Sequence, residues 1–152
     1  MMAQALVLEA RYRGDADAMF AAALDFSEMT DAMKGIAVYE NAPEGDIAEG
    51  MTLSLDVTMF GFMKTRGHEI TVERIDHANR IIQSRERNPS VRRWDHTISI
   101  QAEGDDGVLW TDRVEIDAGW QTWGTVRFAG YVYGYRHRTR RALSITRRYI
   151  RL

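Results

Sequence analysis

Between residues 36 and 116 one pattern repeats: short runs of alternating apolar and polar residues, broken by clusters of Gly, Asp, Asn and Pro. The runs are "IAVYEN" (36–41), "MTLSLDVTMF" (51–60), "GHEITVERI" (67–75), "RIIQSRER" (80–87), "RWDHTISI" (93–100) and "VLWTDRVEI" (108–116). Period-two alternation puts every second side chain on one face, as in a half-buried strand. Parallel strands need crossovers of about a dozen residues or more, whereas "FGFM", "DHAN", "NPS" and "GDDG" are hairpin-sized links. The six runs predict an antiparallel meander, which must bury one face against something else.

The flanking segments supply candidates for that cover. "QALVLEARY" reads as a first strand ending near Tyr12. "GDADAMFAAALDF" reads as a helix capped by Asp15, with Met19, Phe20, Ala23 and Leu24 apolar, and a second short helix is expected around Glu28 to Met33, closed by Gly35. From about Thr122 or Thr125 the period changes to 3.6. At 100° per residue, Phe128, Tyr131, Val132, Tyr135, Thr139, Ala142, Leu143, Thr146, Tyr149 and Ile150 fall within an arc of about 120°. This predicts one amphipathic helix of roughly 25 residues laid on the sheet.

A chain of 152 residues is one domain of ordinary size, and 45% apolar with 28% charged residues is a globular composition. No apolar run approaches the roughly 18 to 20 residues of a membrane span. The start, "MMAQALVLEARY", lacks a basic segment followed by an apolar one, so no secretory leader is expected and the cytoplasm is the expected location. With no cysteine there are no disulfides, thiolate zinc sites or cysteine nucleophiles. All 22 acidic residues lie at or before Asp117; beyond it stand eight arginines and no acid. A basic tail can serve an anionic partner, nucleic acid or a membrane surface. All eight arginines fall outside the apolar arc, however, and so read first as the solvated face of the last helix, with no nucleic-acid partner expected.

The local motifs carry a resemblance. "WDHTISI" places Trp94, Asp95, His96, Ile98 and Ile100, and the next run reads Thr111, Asp112, Arg113, Val114, Glu115; "YGYRHRTRRAL" opens the second half of the expected helix. With the element order, these are similar to the SRPBCC superfamily, the helix-grip fold of START lipid-transfer domains, birch-pollen-type allergens and polyketide cyclases. The most similar branch is a bacterial, polyketide-cyclase-like one with W-x-H and T-D-x-V-E motifs, in which a second histidine often stands where this chain has Ile98. The resemblance implies an α+β helix-grip domain over residues 1–152. Its curved antiparallel sheet of about seven strands would wrap a long C-terminal helix, with two short helices after the first strand and a cavity between sheet and helix.

Alternation assigns the inward residues without that resemblance: His68, Ile70 and Val72; Trp94, His96, Ile98 and Ile100; Trp110, Asp112, Val114 and Ile116. For residues 80–87 two registers compete, one turning Ile82, Ser84 and Glu86 inward, the other Ile81, Gln83 and Arg85. In the first, Glu86 lies across from both His68 and Trp94, and Ser84 across from His96. Two histidines and two carboxylates on a concave face predict a polar patch in an apolar cavity, since buried charges need partners. Tyr131 and Tyr135, on the apolar arc, are expected to aim hydroxyls at it. The candidate ligand-binding set is therefore His68, Glu86, Trp94, His96, Trp110, Asp112, Tyr131 and Tyr135, for a small hydrophobic or aromatic molecule. A cyclase- or aromatase-like enzyme is the alternative, with His96 as general acid or base and Asp112 setting its tautomer. Each of these residues also has a purely structural reading, as a satisfied core side chain. No H-E-x-x-H, P-loop, dinucleotide fingerprint or G-x-S-x-G elbow occurs, so neither metal nor cofactor is expected. Gly130 and Gly134, outside the arc beside Tyr133, would let a second copy approach in a homodimer.

Overall fold

The structure, a computed structural model, describes residues 3–152. Met1 and Met2, which begin the segment read for a leader, lie outside them. The chain runs β1 (Gln4–Arg13), α1 (Ala16–Leu24), α2 (Phe26–Met33), β2 (Ala37–Glu40), β3 (Thr52–Met59), β4 (Met63–Asp76), β5 (Ile81–Asn88), β6 (Val91–Glu103), β7 (Gly107–Asp117), α3 (Thr122–Thr139) and β8 (Ser144–Arg151). The strands form one sheet in the order β2-β3-β4-β5-β6-β7-β1-β8, and every pairing is antiparallel. β2 to β7 are the expected meander, and β1 joins beside β7.

Caps follow from short polar side chains. Asp15 accepts from the Ala18 amide at 2.9 Å. Asp25 ends α1 and begins α2, accepting from the Ser27 amide at 3.0 Å and the Ser27 hydroxyl at 2.6 Å. Register irregularities fall at Leu55/Val57, Val72/Arg74 and Glu86/Asn88. Such bulges bend the strands they interrupt. The core fills the other end, where Leu6, Leu8, Val108, Val114, Ile116 and Val126 are fully buried.

The C-terminal segment departs from the sequence expectation. α3 has 18 residues rather than about 25, and an eighth strand follows it. The helix stops in a Schellman turn: the Ala142 amide bonds the His137 carbonyl, the Arg141 amide bonds that of Arg138, and Arg141 takes φ 65°. That position ordinarily calls for Gly or Asn, and an arginine there leaves no stop signal to read. The eight residues of β8 then pair with β1 from Gln4↔Arg151 to Arg11↔Ser144. The left-handed arginine costs about 1 kcal/mol, which pairing along β1 offsets. Arg141→Gly is accordingly expected to raise the Tm by roughly 2–4 °C, measured by thermal unfolding; an unchanged or lowered Tm would show that the turn carries no such strain.

The face of α3 turned inward is also rotated from the predicted arc. Val126, Ala129, Gly130, Tyr133, Gly134 and His137 are buried, whereas Tyr131 is 43% exposed. The glycines serve this chain itself. A Cβ at Gly130 would run into the Tyr149 hydroxyl, and one at Gly134 into the Arg147 guanidinium. The small-residue face expected to admit a second copy is thus covered by β8.

Candidate functional site

The sheet, α2 and α3 line a partly open cavity of about 230 Å³. Its apolar wall comes from Leu53 and Val57 on β3, Ile70 and Val72 on β4, Ile82 on β5, Ile98 on β6, Met29 and Met33 on α2, and Phe128 and Val132 on α3. Benzene occupies cavities of roughly 150 Å³, so this one has room for a molecule of about two rings.

One wall is polar, and its register is the first of the two weighed above. Ile82, Ser84 and Glu86 face the cavity, with Ser84 opposite His96 and Glu86 opposite Trp94. On the β4 side the expectation is corrected: Glu86 stands directly across from Ile70. It reaches His68 diagonally, with Nε2 to Oε2 at 2.7 Å. Asn88 Nδ2 donates to His68 Nδ1 at 3.2 Å, which leaves Nε2 as the side that donates to Glu86. Burial alone would raise the Glu86 carboxyl, but the His68 hydrogen bond, the neighbouring imidazoles and the Arg136 charge hold it below the usual range.

Deeper, Asp112 sits midway along β7 and is 2% exposed. It accepts from His96 Nε2 at 2.7 Å and from His137 Nε2 at 2.6 Å, with Trp110 Nε1 at 3.4 Å. A carboxylate only accepts, so each imidazole must present its Nε2–H to it, and each Nδ1 is left as an acceptor. The Tyr12 hydroxyl donates to His137 Nδ1 at 2.5 Å, and Tyr133 approaches His96 Nδ1 at 3.5 Å. Trp94 Nε1 donates to the Tyr133 oxygen at 3.1 Å. The result is a continuous seam, Tyr12–His137–Asp112–His96–Tyr133–Trp94, joining the core to the cavity wall.

Burial would raise Asp112, but hydrogen bonds from His137 and His96 outweigh it and keep the group well below the carboxylate range. Burial pushes His137 down, against the pull of Asp112, and pushes Tyr12 and Tyr133 up. At neutral pH the seam therefore holds an ionised Asp112, a neutral His137 and two protonated phenols.

Of the residues proposed from sequence, His68, Glu86, Trp94, His96, Trp110 and Asp112 all line the cavity. Tyr131 and Tyr135 do not. Tyr131 lies outside against Phe60, ring centroids 6.2 Å apart, and the Tyr135 hydroxyl packs on Gly35, where a Cβ would collide with it. Tyr133 takes the place intended for them. Sequence reasoning also passed over Tyr12, His137, Arg136 and Arg140. Tyr12 continues the alternation of Leu6, Leu8 and Ala10, and His137 lies four residues from Tyr133 on a helical row, so both carried a faint periodic signal.

Six of the eight C-terminal arginines are exposed as expected, but three of those lie on β8 rather than on the helix, and two others turn inward. Arg136 and Arg140 line the cavity. Arg140 grips Glu28 with Nε–Oε1 at 2.5 Å and Nη2–Oε2 at 3.0 Å, lies 4.6 Å over the Trp110 ring, and so ties α2 to the end of α3. Arg147 bonds the Gly130 carbonyl at 3.0 Å, and Arg127 lies between the Trp123 and Tyr149 rings. Among the described residues no group of His, Asp or Glu is placed to hold a metal ion, and no helix is long and apolar enough to cross a membrane.

A curved antiparallel sheet closed around a C-terminal helix, with a cavity between them, defines the helix-grip fold, and the chain shares that fold with several solved structures. Among solved structures it is similar to truncated norcoclaurine synthase from Thalictrum flavum, with TM-score 0.66 and 13% identity over 90% of this chain and 92% of that one. It is also similar to CalU16 from Micromonospora echinospora (TM-score 0.61, 15% identity, 91% of this chain and 75% of that one). A third is Ara h 8.0201 (TM-score 0.61, 11% identity, 88% and 95%). At these identities the likeness is one of fold. No family model and no curated protein matches the sequence.

Proposed function

We propose that the protein binds a small apolar or aromatic molecule between the sheet and α3, as a carrier or sensor. The observation that carries this reading is the 230 Å³ cavity, whose wall is apolar on most sides and polar along one seam. Such a lining gives affinity through burial and orientation through a few fixed polar groups. A norcoclaurine synthase of the same fold (TM-score 0.64, 13% identity, 90% of this chain and 85% of that one) has been solved in complex with dopamine and hydroxybenzaldehyde, two molecules of this size class.

A panel of one- and two-ring aromatics in a thermal-shift assay is expected to contain compounds that raise the Tm by on the order of 5–10 °C at about 100 times their Kd. Ser84→Phe puts a ring into the cavity beside His96; it is expected to fold and to lose the shift. A panel with no stabilising member, or shifts that persist in Ser84→Phe, would count against the reading.

The His96–Asp112 contact of 2.7 Å at the cavity wall supports an enzymatic reading as the alternative. Asp112 orients the imidazole, and Tyr133 lies at its other nitrogen, so a proton exchanged with a bound molecule would pass between Tyr133 and His96. On that reading His96→Ala abolishes turnover while leaving affinity for the bound molecule largely intact.

A further inference from the structure

The charged groups lining the cavity are committed to one another, with a single exception. Glu86 is held by His68, Asp112 by His96 and His137, and Glu28 by Arg140. Asp25 caps α2. That leaves Arg136. Its guanidinium lies 4.6 Å over the Tyr133 ring, and among the described residues no carboxylate comes within 4 Å of it. Its Nε is buried without a hydrogen-bond partner. The groups that act on it are Tyr39, Tyr133, Glu86 and Asp112, which together outweigh burial and keep it protonated. Guanidinium presents five N–H donors in a plane, and although the Tyr39 hydroxyl engages it, a partly buried cation whose Nε lacks an acceptor is costly unless a further acceptor meets it.

We propose that Arg136 anchors a carboxylate, so that the molecule taken up is an apolar or aromatic acid rather than a neutral hydrocarbon or an amine. The inference rests on the cavity-binding reading above and specifies its ligand class. Geometry supplies the orientation. Phe128, Val132 and Arg136 are spaced four apart and form one row along α3, all lining the cavity. A carboxylate at Arg136 lays the apolar body along Val132 and Phe128, against Val57 and Met59 of β3. Glu86 does not compete for the anchor, because its oxygen is 2.7 Å from His68 Nε2. Arginine also suits the task better than lysine, since its fork meets both carboxylate oxygens.

The test uses the full chain and two probes of one shape, 1-naphthylacetate and 1-naphthylacetamide, by calorimetric titration at neutral pH. The acid is expected to bind about tenfold or more tighter than the amide, as a charge-assisted contact implies. Arg136→Met is expected to remove that preference while leaving the amide within about twofold, and Arg136→Lys to restore part of it. Equal binding of acid and amide by the wild type overturns the proposal and leaves the cavity reading standing. So does an Arg136→Met variant that weakens both probes alike. Acid binding that survives Ser84→Phe is outside the cavity and counts against both readings. Binding of neither probe overturns both readings. The wild-type comparison stands even if Arg136→Met does not fold, and Arg136→Gln then serves as the second variant.

Discussion

Replacing Asp112 with alanine is expected to cost about 3–5 kcal/mol of stability, because two buried hydrogen bonds to a charged acceptor are lost at about 1.5–3 kcal/mol each. In a domain of this size that lowers the Tm by roughly 10 °C or more. The carboxylate accepts from two buried imidazoles, at 2.7 and 2.6 Å, and His137 is fully buried. Asp112→Asn keeps one oxygen but turns an NH2 group toward the second imidazole, donor against donor, and is expected to fall between the alanine variant and the wild type. Unfolding of both variants by urea measures the series; an alanine variant within about 1 kcal/mol of wild type would dismiss the seam as a structural element.

The same seam sets a pH dependence. Asp112 and His137 both have folded pKa values below their unfolded ones. As pH falls, the unfolded chain therefore takes up the proton first, and stability declines. His137 contributes to this loss from about pH 6.5 downward, and Asp112 from about pH 4 downward, each with a limiting slope of about 1.4 kcal/mol per pH unit. His137→Gln is expected to flatten the limb between about pH 6.5 and 5 while leaving the acid limb in place. Stability that stays level from pH 7 to 5 in the wild type would contradict the neutral, buried state of His137.

Ending the chain at Leu143 is the second large effect. Without β8 the protein is expected to lose about 4–6 kcal/mol, most of it from uncovering Ile145, Tyr149 and the glycine face of α3. This is a large share of the roughly 5–15 kcal/mol by which a domain is stable. Removal also frees the edge of β1, whose residues Gln4 to Arg11 pair with β8 in the intact chain. An open apolar edge strand recruits other strands, so the truncated protein is expected to elute as higher oligomers. In the intact protein, Arg147, Arg148 and Arg151 place charge along the outermost strand and oppose such pairing. A truncated chain that remains monomeric and melts within a few degrees of the full one would refute this role.

How much was legible in the residues depended on the period being read. Strand periodicity is two, so one apolar landmark sets a whole face; Trp94, His96, Trp110 and Asp112 could all be turned inward from alternation alone. The register of β5 could not, because "RIIQSRER" offers apolar and polar residues to both faces; only pairing with β4 and β6 turned Glu86 inward. On α3 a rotation of one residue is 100°, and a stripe chosen by summed apolarity selected Tyr131 and Tyr135 where packing selected Tyr133 and His137. A Tyr on a surface helix is no less apolar than one in the core, so composition alone does not rank them.

The sequence by itself determined the succession of elements as far as α3 and a concave polar patch, because these follow from local period and from short links. Tertiary structure alone decided that residues 144–151 are a strand. "SITRRYIR" satisfies a helical arc as well as an alternating one, and the choice was made by β1, more than 130 residues away, offering an unpaired edge. It alone joined Tyr12 to His137 across 125 positions and drew Arg136 and Arg140 into the cavity. Such contacts are set by which surfaces meet when the sheet closes on the helix, and no local pattern records that meeting.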